Sequence, residues 1–170
     1  MVRIKNATKS NAVWKTVRNS PKDVEKAAIK ARILTGTYTL QANRSKFNQY
    51  TVDRTCPLCG KGIENRKHFT LLCPVTETAR TKFKQKIIDR MNSSTVTHLD
   101  VQNDDILLQI IVDCSALIVG PQYGDLRHEV ETLSRELIYN VHVLHIRLMT
   151  SMHMPGWTLF LTFNLIKLDY

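Results

Sequence analysis

Four residues within 18 positions constrain this chain more than any other feature: Cys56-x2-Cys59-x8-His68-x4-Cys73. A Cys-x2-Cys turn lets two thiolates face one ion, and Gly60 follows where such a turn wants freedom in φ. Residues Glu64 to Leu72 suffice for a short helix carrying His68. Pro74 biases Cys73 towards extended backbone, so that helix should stop as the last ligand turns inward. The expectation is one structural Zn2+ per chain, bound tetrahedrally by Cys56, Cys59, His68 and Cys73. A closed set of four ligands leaves no position for water or substrate, so no catalytic residue is assigned and no enzyme is expected.

The rest of the cysteine and histidine pattern adds no second site. Cys114 is left over, and four cysteines of which three cluster make a poor disulfide framework. A redox Cys-x2-Cys pair would sit in a βαβ pattern, which is missing here. His128-Glu129-Val130-Glu131-Thr132 lacks the second histidine of a zinc protease, and Thr55 stands where a deaminase would have proline before its cysteine. His142 and His145 lie one helical turn apart, with His153 as a conceivable third ligand, and read more simply as polar-face residues. The opening Met1-Val-Arg-Ile-Lys-Asn6 is followed by polar sequence rather than an apolar signal region, which favours an intracellular, reducing compartment, nuclear or cytoplasmic. The most apolar stretch, Trp157 to Leu168, is 12 residues interrupted by Thr158, Thr162 and Asn164. A bilayer span needs about 20, so no membrane partner is expected.

Charge is distributed unevenly. Residues 1–90 hold 20 Lys/Arg and 6 Asp/Glu, net +14, whereas residues 91–170 hold 4 and 9, net −5. A basic half of this kind suits RNA or DNA, because clustered cations gain from displacing phosphate counterions; the bland alternative is a solvated surface. Candidate contacts are Lys22, Lys26 and Lys30, spaced by fours along one helix; Arg44 and Lys46, interleaved with Phe47 and Tyr50; Arg66 and Lys67 in the cysteine loop; and Lys82 and Lys86 beyond it. Lys61, Arg66 and Lys67 are equally placed to offset the negative charge of three zinc-bound thiolates.

Local signals point to helices. Ser20-Pro21-Lys22-Asp23 is a start, with Val24, Ala27, Ala28, Ala31 and Leu34 on one face and Gly36 as the stop. Thr35 to Leu40 should be extended or irregular. Val75, Ala79, Phe83, Ile87 and Met91 mark a basic amphipathic helix whose other faces carry Arg80, Lys82, Lys84, Lys86 and Arg90. Asn103-Asp104-Asp105 caps an apolar helix reaching Ile118, and Gly124-Asp125 opens the longest one, with an apolar stripe from Leu126 to Leu148. The expected fold is mainly α: a small helical domain with a CCHC zinc knuckle and little or no sheet. Residues 1–19 read as an N-terminal arm, 20–149 as the helical domain with its knuckle at about 54–74, and 150–170 as a tail of unassigned role. The Leu126–Leu148 stripe also admits a second function, a zinc-stabilised protein-interaction module that pairs helices with a partner chain.

Several blocks carry a family resemblance: Val13-Trp14-Lys15; Ala31-Arg32-Ile33-Leu34-Thr35-Gly36-Thr37-Tyr38-Thr39-Leu40-Gln41; Arg44; Lys46-Phe47; Cys56-Pro57-Leu58-Cys59; His68-Phe69; Cys73-Pro74. Glu131, Ser134-Arg135, Leu137, Tyr139, His142 and Arg147 extend it, so that it covers roughly residues 12 to 149. Together these resemble the C-terminal zinc-binding segment of invertebrate non-LTR retrotransposon reverse transcriptase polyproteins. The resemblance implies a module that follows a polymerase domain and helps hold element RNA or target DNA, with Cys56, Cys59, His68 and Cys73 as zinc ligands. The chain departs from the family in having no Tyr-x-Asp-Asp block and no endonuclease, and its tail after Met149 does not follow the pattern. It therefore resembles a detached fragment.

Overall fold

A computed structural model describes residues 12–47, 51–96 and 98–152. Expectations that rest on Tyr50, His153, Trp157 or Phe160, and the remainder of the arm and tail, lie outside the described residues. The described chain is helical: α1 (Ala12–Lys15), α2 (Pro21–Thr35), α3 (Gln41–Phe47), α4 (Glu77–Asn92), α5 (Asp104–Asp113) and α6 (Gly124–Ser151). No strand occurs among the described residues; the sole β feature is an isolated antiparallel bridge between Thr55 and Ile63. None of these helices is by itself long and apolar enough to cross a membrane.

The α2 boundaries follow from local chemistry. Ser20 Oγ accepts from Asp23 N at 3.1 Å, Pro21 opens the helix, and Gly36 closes it in the left-handed region at φ 76°. Its buried face is rotated from the expected one. Ala27, Ile29, Lys30, Ile33 and Leu34 point inward, while Val24 is 46% exposed. The rotation has a cause on the facing helix: Glu131 of α6 takes the Lys30 ammonium at 2.7 Å, drawing a polar side chain into the core.

α6 is the organising element. Its 28 residues extend about 42 Å at the usual helical rise, enough to contact α1, α2, α4 and α5. Leu126, Val130, Leu137 and Val141 are buried and Leu133, Leu144 and Leu148 half-buried, so most of the stripe that could have received a partner chain is covered by the chain's own helices. Ile33, Ile87, Leu107, Ile110, Ile111 and Ile138 complete the same core. Each such side chain contributes roughly 1.5–3 kcal/mol by leaving water. The described part of the N-terminal arm joins this body: Val13 is in the core, and Arg135 Nη2 of α6 donates to Thr16 O at 2.9 Å.

Two further expectations are corrected. On α4 the buried residues are Arg80, Ile87, Ile88 and Met91, whereas Val75 lies outside the helix and is 39% exposed. Arg80 turns inward because it finds acceptors there, Cys73 O at 2.6 Å and Thr76 Oγ1 at 3.1 Å, with Glu77 completing an ion pair. α5 ends at Asp113 rather than near Ile118, because the Asp113 carboxylate accepts from Ser115 N at 3.2 Å and Ser115 Oγ at 2.6 Å. Those bonds tighten the chain into the 3-10 turn Cys114–Ala116.

Candidate metal centre

The loop between α3 and α4 gathers the four candidate ligands. Cys56 N donates to Gly62 O at 2.7 Å, Gly60 N to Cys56 O at 2.9 Å, and Glu64 N to Arg54 O at 2.9 Å, forming a tight hairpin. Gly60 adopts φ 63°, a conformation costly for any residue with a Cβ. Asn65 Oδ1 then accepts from His68 N at 2.9 Å, and the following turn, His68–Leu72, is π-wound: Cys73 N reaches back five residues to His68 O at 2.8 Å. Cys73 leaves it extended, at ψ 116°, as the proline after it requires.

The result is a compact donor set. One ligand atom from each of Cys56, Cys59, His68 and Cys73 lies within 4.8 Å of every other. The Cys56 and Cys73 sulfurs are 3.9 Å apart, and Cys59 Sγ is 3.3 Å from His68 Nε2. Tetrahedral thiolates at about 2.3 Å from an ion sit about 3.8 Å from each other, so the spacing fits a single metal ion at the centre. Cys56, Cys73 and His68 are buried and Cys59 is half-buried. Without metal, burial pushes the Cys56 thiol up to about 12, against the pull of the Cys59 and Leu58 backbone N–H groups. Burial lowers the His68 pKa, which favours the neutral imidazole that a metal requires. Cys114 stays apart from this set, buried in the helical core, where desolvation pushes its thiol up to about 12.

Two anchors hold the loop against the helices. Glu64, almost wholly buried, accepts from Gln41 N at 2.8 Å through Oε2 and pairs with His145 Nε2 at 2.7 Å through Oε1. The Phe69 ring, next to the ligand His68, packs at 5.1 Å from Tyr38 and 5.4 Å from His145, and Tyr38 Oη shares a 2.6 Å hydrogen bond with His142 Nδ1. Burial drives the Tyr38 pKa far upward and lowers that of His142 to about 4, so both are neutral partners. His145 is therefore a contact from α6 to the loop, and His142 one from α6 to Tyr38 behind Phe69, not the polar-face residues that their spacing alone suggests. At the other end, Arg80 of α4 grips Cys73 O.

The basic residues divide into two groups. Lys30 is fully buried against Glu131, so it faces no ligand and is corrected as a candidate contact. Lys26 pairs with Glu136 beneath the Tyr139 ring, Lys67 reaches Asp105 at 2.9 Å at the start of α5, and Arg44 donates to Gln41 Oε1 at 3.3 Å. Lys22 is exposed on α2, and Lys82 and Lys86 are exposed on α4, their ammonium groups each 5.9 Å from the Phe83 ring centre. Lys46 and Arg66 are brought together, lining one cleft beside the cysteine loop. Arg54, Asn43 and Asn65 share that cleft and were missed as site residues; a basic residue two positions before the first cysteine was the available signal. Phe47 is 80% exposed and so is not core. Comparisons of the chain with protein-family models, with curated proteins and with solved structures find no match.

Proposed function

We propose that this chain is a nucleic-acid-binding module built on one structural Zn2+, without catalytic activity of its own, and derived from a non-LTR retrotransposon reverse transcriptase polyprotein. The observation that carries the binding role is the basic cleft against the cysteine loop: its Lys46, Arg54 and Arg66 converge on one concavity and pair with no carboxylate among the described residues, whereas Lys26, Lys30 and Lys67 each do. Zinc is the ion of choice because three soft thiolates and one imidazole in a closed tetrahedron suit it better than they suit harder divalent ions. The ion's role is mechanical. It fixes the loop that bears Arg54 and Arg66, while Glu64 and Arg80 tie that loop to α3, α4 and α6.

The lineage is supported by the residues that carry the resemblance. Gly36, Tyr38, Leu40 and Gln41 are those that pack or hydrogen-bond between the end of α2, the cysteine loop and α6, which gives that block a reason to travel with the cysteine spacing. The rival reading, a helical dimerisation module, draws less support because Leu126, Val130, Leu137 and Val141 are used within the chain. Titrating zinc-loaded protein with labelled RNA and DNA strands at low salt tests the proposal. Salt-sensitive binding that is lost in Cys59→Ser is expected. Failure of the wild-type chain to bind either polymer, with a concentration-dependent mass in its place, would overturn it.

A further inference from the structure

Between the end of α2, α3 and the cysteine loop lies a cavity of about 210 Å³, and its polar lining is cationic: Lys46, Arg54 and Arg66 beside the amides of Asn43 and Asn65. No carboxylate among the described residues lines it. Three like charges converging on one concavity repel each other, an arrangement that costs free energy until an anion enters. Six cations elsewhere avoid such a cost. Lys26, Lys30, Lys67, Arg80, Arg90 and Arg135 each have a carboxylate within ion-pair distance.

The cleft is also built and not merely a gap. Gly36 sits in the left-handed conformation with Arg66 Nη2 3.6 Å from where a Cβ would be, so the half-buried guanidinium rests on the closing turn of α2. Asn43 Nδ2 is committed to Gly36 O at 3.0 Å and Tyr38 O at 2.8 Å, which fixes the wall, whereas Asn65 uses Oδ1 on His68 N and keeps its Nδ2 donors for the cleft. Guanidinium forks with an amide donor match the tetrahedral oxygens of a phosphate.

We propose that this cleft seats one backbone phosphate of a single-stranded nucleic acid, with Arg54 and Arg66 on the phosphate oxygens, Lys46 at the rim and Asn65 donating from the wall. The assignment rests on the nucleic-acid reading above and narrows it to one subsite. A recessed site favours a single strand, whose backbone bends so that a phosphate can enter; a duplex holds its phosphates along stiff ridges. Phe47, 80% exposed one position after Lys46, offers a face on which the adjoining base stacks. RNA and DNA share this chemistry.

The test uses the full zinc-loaded chain and short labelled oligothymidylate and oligouridylate, followed by fluorescence anisotropy across a salt series. Lys46→Gln and Arg54→Gln alter exposed side chains with no ion-pair partner among the described residues, so folding is retained. Arg66→Gln is added to Arg54→Gln, and Lys82→Gln with Lys86→Gln removes the same charge from α4 as a control. The cleft pair should weaken both oligonucleotides about tenfold and flatten the salt slope by about 1.4, against about threefold or less for the control. Arg66→Lys should restore part of the loss. Equal effects of the cleft and control pairs would overturn the subsite while leaving the binding function standing; no binding by the wild type would overturn the function itself. Tighter binding of a phosphoserine peptide than of either oligonucleotide, through the same residues, would overturn the assignment to nucleic acid.

Discussion

Replacing Lys30 with Met separates core electrostatics from ligand binding in this fold. Lys30 Nζ and Glu131 Oε2 are 2.7 Å apart with side chains 0% and 1% exposed, so neither charge can recover hydration when its partner goes. Glu131 Oε1 has no hydrogen-bond partner among the described residues, which leaves the ammonium as the main compensation for a buried carboxylate. Removing one member of such a pair costs about 3–5 kcal/mol, against about 5–15 kcal/mol for the whole stability of a typical domain. Lys30→Met should therefore shift chemical denaturation by that amount, and Glu131→Leu should do likewise. The double variant should regain most of the loss, since two apolar groups of similar volume avoid the desolvation of both charges. Denaturant titrations of the four proteins close the cycle, and oligonucleotide affinity measured where each remains folded should be unchanged. A loss under about 1 kcal/mol in Lys30→Met, or a fall in affinity at unchanged stability, would refute the reasoning and return Lys30 to the binding surface.

The buried imidazole of His142 makes stability depend on pH. Its pKa falls to about 4 when folded against about 6.5 unfolded, so the unfolded chain binds the extra proton between those values. Stability should be full above pH about 6.5 and decline by up to about 3 kcal/mol as pH drops to about 4, a slope that His142→Gln should remove in a difference curve. Glu64→Ala strips the partner from Gln41 N and from His145, and should cost about 3 kcal/mol while weakening zinc retention, measured by denaturation and by competition with a chelator. A loss of less than about 1 kcal/mol with zinc affinity unaltered would show that Glu64 does not anchor the loop.

Much of the helical frame is legible in local chemistry. Ser20 and Asn103 cap because their side chains reach backbone N–H groups two or three residues on, and Gly36 closes α2 because it tolerates positive φ. The four metal candidates are legible for the same reason, since short spacings survive folding as short distances. What escapes is polar burial determined by partners remote in sequence. Lys30 turns inward for a carboxylate 101 residues away, and His145 for one 81 residues away. A helical pattern counts Lys30 and His145 as solvent-facing because it holds no information about such partners. α3 escapes because Gln41–Phe47 is short and basic, with no apolar period to reveal it. The cleft escapes because Asn43 belongs to α3 while Arg54 and Arg66 lie 12 residues apart in the cysteine loop, and only the fold brings the three together.

On the proposed function, Cys56, Cys59, His68 and Cys73 hold one zinc whose removal releases the loop. X-ray absorption at the zinc edge on protein purified under reducing conditions tests it most directly. One zinc per chain is expected, with three sulfurs at about 2.3 Å and one nitrogen at about 2.0 Å, and loss of a sulfur in Cys59→Ser. Protein that folds without zinc, or a bound ion with an oxygen-dominated shell, would contradict it.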